Sequence, residues 1–76
     1  MVLVNTDYIS GKTLETISLV SGSSESVMPV NDVNMSRAVT QMVELAGRLE
    51  ADGIVNIKYS LTDYYAFVAG TAVKFV

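Results

Sequence analysis

One stretch of this 76-residue chain repeats its apolar residues at helical spacing. Met35, Val39, Met42, Ala46 and Leu49 lie within a narrow arc of one helical face, and Ala38, Val43 and Leu45 widen it. Arg37, Gln41, Glu44 and Arg48 occupy the far side. This is the pattern of an amphipathic helix covering a sheet. Asn34 is placed to cap its start, with Asp32 suited to the positive end. Gly53, just past Asp52, suits a left-handed C-terminal cap. A lone helix has a single stripe to bury, so the other segments must supply the second layer.

They read as strands. Residues 2–6 form a short one, and Ser10-Gly11-Lys12 is a turn signal. Thr13, Thr16, Ile17 and Val20 make residues 13–20 rich in β-branched side chains. That strand is expected to end in a flexible Ser21-Gly22-Ser23-Ser24 loop and to pair with the first as a hairpin. Residues 27–33 read as irregular, because Pro29 cannot sit in a helix interior. Residues 54–61 alternate, with Val55, Ile57, Tyr59 and Leu61 on one face and Asn56, Lys58 and Ser60 on the other. Thr62-Asp63 is a tight turn into a last strand over 64–76. One face of that strand carries Tyr65, Phe67, Ala69, Thr71, Val73 and Phe75; the other carries Tyr64, Ala66, Val68, Gly70, Ala72, Lys74 and Val76. The predicted fold class is α+β: a single domain over 1–76, a two-layer β-β-α-β-β sandwich of one antiparallel sheet and one helix.

Composition excludes several classes of chemistry. The chain has no Cys, His or Trp. It therefore offers no disulfide framework, no thiolate or imidazole metal site and no imidazole base. A net charge of −3 argues against a DNA or RNA polymer as partner. No apolar run approaches the roughly 18 residues that span a bilayer, and the apolar opening lacks the basic flank of a signal peptide. A cytoplasmic protein is expected. A domain this small buries only about 60% of the surface of its unfolded chain, yet half its residues are hydrophobic. Its last strand is apolar on both faces, where a two-layer domain needs one. Self-association is the expected outcome.

Three stretches carry a family likeness. Arg48-Leu49-Glu50-Ala51-Asp52-Gly53-Ile54-Val55-Asn56-Ile57 is similar to a helix-end motif of the form A-x-x-L-G-A-D-A-V-V-G-I. Gly70-Thr71-Ala72-Val73-Lys74 matches a terminal G-T-A-V-K, and Val20-Ser21-Gly22 resembles a V-x-G at the end of a second strand. Together they resemble the YbjQ-like family of small bacterial and phage proteins. The usual Gly before Ala-Asp is Glu50 here, the segment around Pro29 is short, and so is the last hairpin. The resemblance implies a β-β-α-β-β subunit that closes into a ring, typically a pentamer, and it carries a heavy-metal-binding label.

The residues give that label little support. Soft metals favour thiolate, thioether or imidazole ligands. The thioethers are Met1, Met28, Met35 and Met42, and Met35 and Met42 lie where core packing wants them. Asp7, Asp32, Asp52 and Asp63 lack the dense spacing of a calcium loop, so no metal and no cofactor is expected. Asp52 reads as closing its turn by bonding local backbone. Ser21, Gly22 and Ser23 offer a nest for an anion, though without the Lys and helix of a P-loop. Tyr59, Tyr64 and Tyr65 cluster around the last hairpin, where rings could stack on a base or pack on a neighbour. Arg37, Arg48, Lys58 or Lys74 could neutralise phosphate. Glu15, Glu25, Glu44 and Glu50 stand in no catalytic constellation. The expected function is a non-enzymatic ring that binds a small anionic, nucleotide-like molecule at subunit interfaces. In a phage, that would suit sequestration of a signalling nucleotide. The alternative is a structural ring without ligand, with metal binding third.

Overall fold

The computed structural model describes residues 1–25 and 32–76. The irregular segment expected around Pro29 lies outside the described residues, as does Met28. The element order is β1 (Val2–Leu3), β2 (Leu14–Glu25), α1 (Asp32–Arg48), β3 (Gly53–Leu61) and β4 (Tyr65–Phe75). One sheet holds all four strands in the order β1-β3-β4-β2, and α1 packs across β2 and β4. The α+β two-layer fold is the expected one.

The pairing differs in two ways. The sheet is mixed, because β1 runs parallel to β3, with Val2 opposite Gly53 and Leu3 opposite Ile54. The expected β1–β2 hairpin does not form. β2 instead pairs antiparallel with β4 from Leu14–Phe75 to Glu25–Tyr65. Length explains the choice. A twelve-residue strand completes far more ladder hydrogen bonds against an eleven-residue one than against two residues. The Ser21–Ser24 segment is accordingly strand rather than loop.

α1 meets the sheet through small residues. Ala38, Met42 and Ala46 are fully buried against Val20, Ile54, Ala66, Val68 and Ala72. A Cβ on Gly22 would fall onto the backbone carbonyl of Ala38, so only glycine lets the helix come this close. Asn34 is not the cap. It sits in the first turn of a helix that begins at Asp32, is buried, and donates from Nδ2 to Ser24 Oγ at 3.2 Å.

The helix also ends differently from expectation. Glu50, with φ 59°, holds the left-handed position assigned to Gly53. The Ala51 amide donates to Ala46 O at 3.1 Å and the Glu50 amide to Gly47 O at 3.0 Å, which is a Schellman closure. Gly53 is instead the first residue of β3, where a Cβ would lie 2.9 Å from Ile9 Cδ1 and 3.0 Å from Val2 O. The Asp52 carboxylate accepts from the Phe75 amide at 2.9 Å, and its own amide donates to Val73 O at 2.9 Å. It therefore clips the helix-to-strand turn to the end of β4.

Two irregularities break the simple alternation. β2 shifts register between Thr16 and Ser18. β3 shifts between Val55 and Lys58, with Asn56 at φ 54°. Ile57 thereby stays on the helix side, as do Tyr59 and Leu61, which lie opposite Val68 and Ala66. Val55, expected beside them, faces the other way, opposite Thr71.

Candidate functional site

The face of the sheet away from α1 has two halves. Near β1 it is closed, since Ile9 folds back over Gly53 and Val55 and Val73 are buried there. Toward the β3–β4 turn it is open. Cross-strand register sets the relief of this open half. Ser21, Ala69 and Lys58 form one row across β2, β4 and β3; Leu19, Thr71 and Val55 form the next row on one side, and Ser23, Phe67 and Ser60 the next on the other. The middle row has only a methyl group at its centre, while Phe67 rises beyond it on one side and Leu19 on the other. A trough of about 500 Å³ results, lined chiefly by Leu19, Ser21, Asn56, Lys58, Phe67 and Thr71.

Its floor is apolar and its polar groups lie at the edges: the Ser21 and Thr71 hydroxyls, the Asn56 amide and the Lys58 ammonium. Tyr65 extends the Phe67 wall, with ring centroids 6.4 Å apart and planes inclined by 12°. Leu19 is 80% exposed, an unusual place for a leucine unless something covers it. An apolar depression with a few convergent polar groups is the usual form of a small-molecule site.

The structure brings Lys58 and Ser21 together here, with Tyr65 next to the trough. It separates the others. Tyr59 lies on the helix side of β3, exposed, and Tyr64 is exposed at the hairpin turn. Arg37 and Arg48 are on the exposed face of α1. Arg37 borders a second, shallower depression with Val33, Ser36, Thr40, Gln41 and Glu44. Lys74 lies opposite Glu15 at the other end of the sheet. The Ser21-Gly22-Ser23 nest does not form: Gly22 is buried beneath the helix, and the Ser23 amide donates to Gln41 Oε1 at 2.9 Å. Leu19, Asn56, Phe67 and Thr71 were not expected at the site. Asn56 alone carried a local signal, a residue tolerant of positive φ inside an apolar strand.

Among the described residues, no group of three carboxylates converges as metal ligands would, and no helix is long and apolar enough to cross a membrane. Met42 is fully buried in the core and Met35 packs against it.

Similarity to known proteins bears on the family and the fold. A UPF0145 protein of Clostridium novyi is 38% identical, over 97% of this chain and 98% of its own length. A UPF0145 protein of Alkaliphilus metalliredigens is 36% identical over the whole of both chains. The chain belongs to the UPF0145 family, which is the YbjQ family. No family model matches it. The crystal structure of a protein of unknown function from Pediococcus pentosaceus, assigned to the DUF74 family, superposes with a TM-score of 0.75 at 15% identity, covering 100% of this chain and 98% of that one. That likeness concerns the fold. The alignment with the C. novyi relative runs over 101 positions against the 76 residues of this chain. Both chains are covered nearly end to end, so the extra residues of the UPF0145 relative are internal insertions.

Proposed function

We propose that this UPF0145 protein is a non-catalytic, self-associating binder of a small anionic molecule, held in the trough on the open half of its sheet. The trough itself carries the reading, as an apolar floor edged by one ammonium, two hydroxyls and an amide. A ligand with a flat apolar part and a phosphate fits that layout. The ring lies on Ala69 and against Phe67, and the phosphate accepts from Lys58, Ser21 and Thr71. A nucleotide has this form. The cation is the decisive group, because a charge-assisted hydrogen bond is about twice as strong as a neutral one. Lys58 and Ser21 also lie on the two outer strands of the β3-β4-β2 unit, so the ends of the trough meet whatever borders the sheet. A ring of copies, a pentamer in the family pattern, places those ends at subunit interfaces.

The test is calorimetric titration of the assembled protein with a nucleotide panel, inorganic phosphate and divalent metals, alongside native mass spectrometry for a co-purified mass. Saturable heat with at least one nucleotide is expected. Lys58→Glu is expected to weaken that binding at least tenfold, about 1.4 kcal/mol, with the fold intact by circular dichroism. Silence across the whole panel, with no retained mass, would leave a ring without ligand as the better account.

A further inference from the structure

β3 leaves its regular course at Asn56. The strand shifts register between Val55 and Lys58, and Asn56 sits at φ 54°. Glycine takes such a conformation freely, whereas an L-residue is strained there. The family's helix-end motif, ending A-D-A-V-V-G-I, has Gly where this chain has Asn56. Here the chain accepts the strain and gains a side chain. Bulges of this kind re-aim a side chain beside a site. Asn56 lines the trough, next to Lys58 on the same strand.

The N-terminal segment holds the bulge in place. The Asn56 amide donates to Thr6 O at 2.7 Å, and the Ile57 amide to Val4 O at 3.2 Å. The Asn56 carboxamide itself is exposed and has no hydrogen-bond partner among the described residues. A polar group on a fixed backbone, left unpaired, meets a ligand at little cost in reorganisation. Among the side chains lining the trough, it alone sets a donor and an acceptor side by side in one plane. Lys58 only donates, and the Ser21 and Thr71 hydroxyls are single oxygens.

We infer, on the basis of the nucleotide site proposed above, that Asn56 sets the base specificity of the trough and selects adenine. Its carboxamide donates to N7 and accepts from the N6 amino group. The shared strand decides which edge of the base is read. Lys58 takes the phosphate, so the edge that meets Asn56 lies on the phosphate side of the nucleotide. In the ordinary anti form of a purine 5′-nucleotide, that is the N7 edge. Adenine presents an acceptor beside a donor there, which matches the carboxamide fork. Guanine presents two acceptors, so its O6 would face the carboxamide oxygen or leave it unpaired. A pyrimidine offers at most one polar group on the corresponding edge. A site built to pair with a donor discriminates against a base that lacks it.

The test is calorimetric titration of the wild type, Asn56→Gly and Lys58→Glu with three probes: adenosine 5′-monophosphate, its 7-deaza analogue and guanosine 5′-monophosphate. The analogue replaces N7 by C–H and keeps the shape and the phosphate. The wild type is expected to bind the adenine nucleotide about tenfold more tightly than either of the others. Glycine suits the positive φ at position 56, so Asn56→Gly keeps its fold, checked by circular dichroism. It is expected to bind the adenine nucleotide and the 7-deaza analogue equally, both at the weaker level. A purely structural role for Asn56 would leave the ratio between them unchanged. Binding that falls in Lys58→Glu yet does not distinguish the three probes, or a preference that survives in Asn56→Gly, would overturn the role of Asn56 and leave the proposed function standing. Tighter binding of the guanine nucleotide would overturn the adenine selection in the same way. Heat from none of the three would remove the nucleotide site and the role of Asn56 together.

Discussion

At the residue scale, the clearest tension is at Glu50. Left-handed backbone costs an L-residue roughly 1–2 kcal/mol, and the Schellman closure of α1 holds Glu50 at φ 59°. The family pattern has Gly at this place. Glu50→Gly is expected to raise stability by about 1 kcal/mol, part of the relief being offset by the greater freedom of glycine in the unfolded chain. Urea unfolding of the two proteins measures this directly, and an unchanged or lower midpoint would contradict the cap assignment. Gly22 presents the opposite case. Its missing side chain is what lets Ala38 and Met42 of the helix backbone approach β2. Gly22→Ala must move the helix off the sheet and is expected to cost about 2–3 kcal/mol, read as a matching drop in the urea midpoint.

At the element scale, Asp52 joins three pieces: the end of α1, the start of β3 and the last residues of β4. Asp52→Ala removes the acceptor of the Phe75 amide. A loss of about 1 kcal/mol is expected, with faster hydrogen exchange at Phe75 and not at the centre of β4. Protection retained at Phe75 would show that the clip does nothing. The helix was legible because its apolar residues repeat at 3.6 and α1 buries the face they mark. The last hairpin was legible because Thr62-Asp63 interrupts two strong strand patterns, and the Thr62 amide does donate to Tyr65 O at 2.9 Å. Strand partners were not legible. Alternation says which way a side chain points but not which edge the strand joins, and it misplaces side chains wherever a bulge intervenes, as at Asn56. The trough was hidden for the same reason. Leu19, Phe67 and Lys58 are neighbours only through the β2–β4 and β3–β4 registers, so no local spacing announces them. Of the ten residues expected to bind, the register brings only Ser21 and Lys58 into the trough, with Tyr65 beside it.

At the scale of the whole molecule, the question is what holds so small a core together. Its largest fully buried side chains are Met42, Ile54, Val68 and Val73, and four of its other buried residues are alanines. Alanine contributes little apolar area, and burial is worth only about 25 cal/mol per Å². There is no cysteine to add a disulfide. The large apolar side chains left outside include Leu19, Tyr59, Leu61 and Tyr64, and they lie on the trough, the β3 edge and the hairpin. In the proposed assembly they would be buried by association. If the proposed assembly forms, stability should depend on concentration, because association that favours the folded chain stabilises it by mass action. For a pentamer, each tenfold dilution lowers the stability per chain by about 1 kcal/mol, which corresponds to a fall in Tm of roughly 4–8 °C for a domain of this length. Scanning calorimetry over a hundredfold range of protein concentration is expected to show that fall twice over. A Tm that stays constant across the range would mean the single chain is sufficient to itself, and that the exposed side chains of β2 and β3 serve some purpose other than assembly.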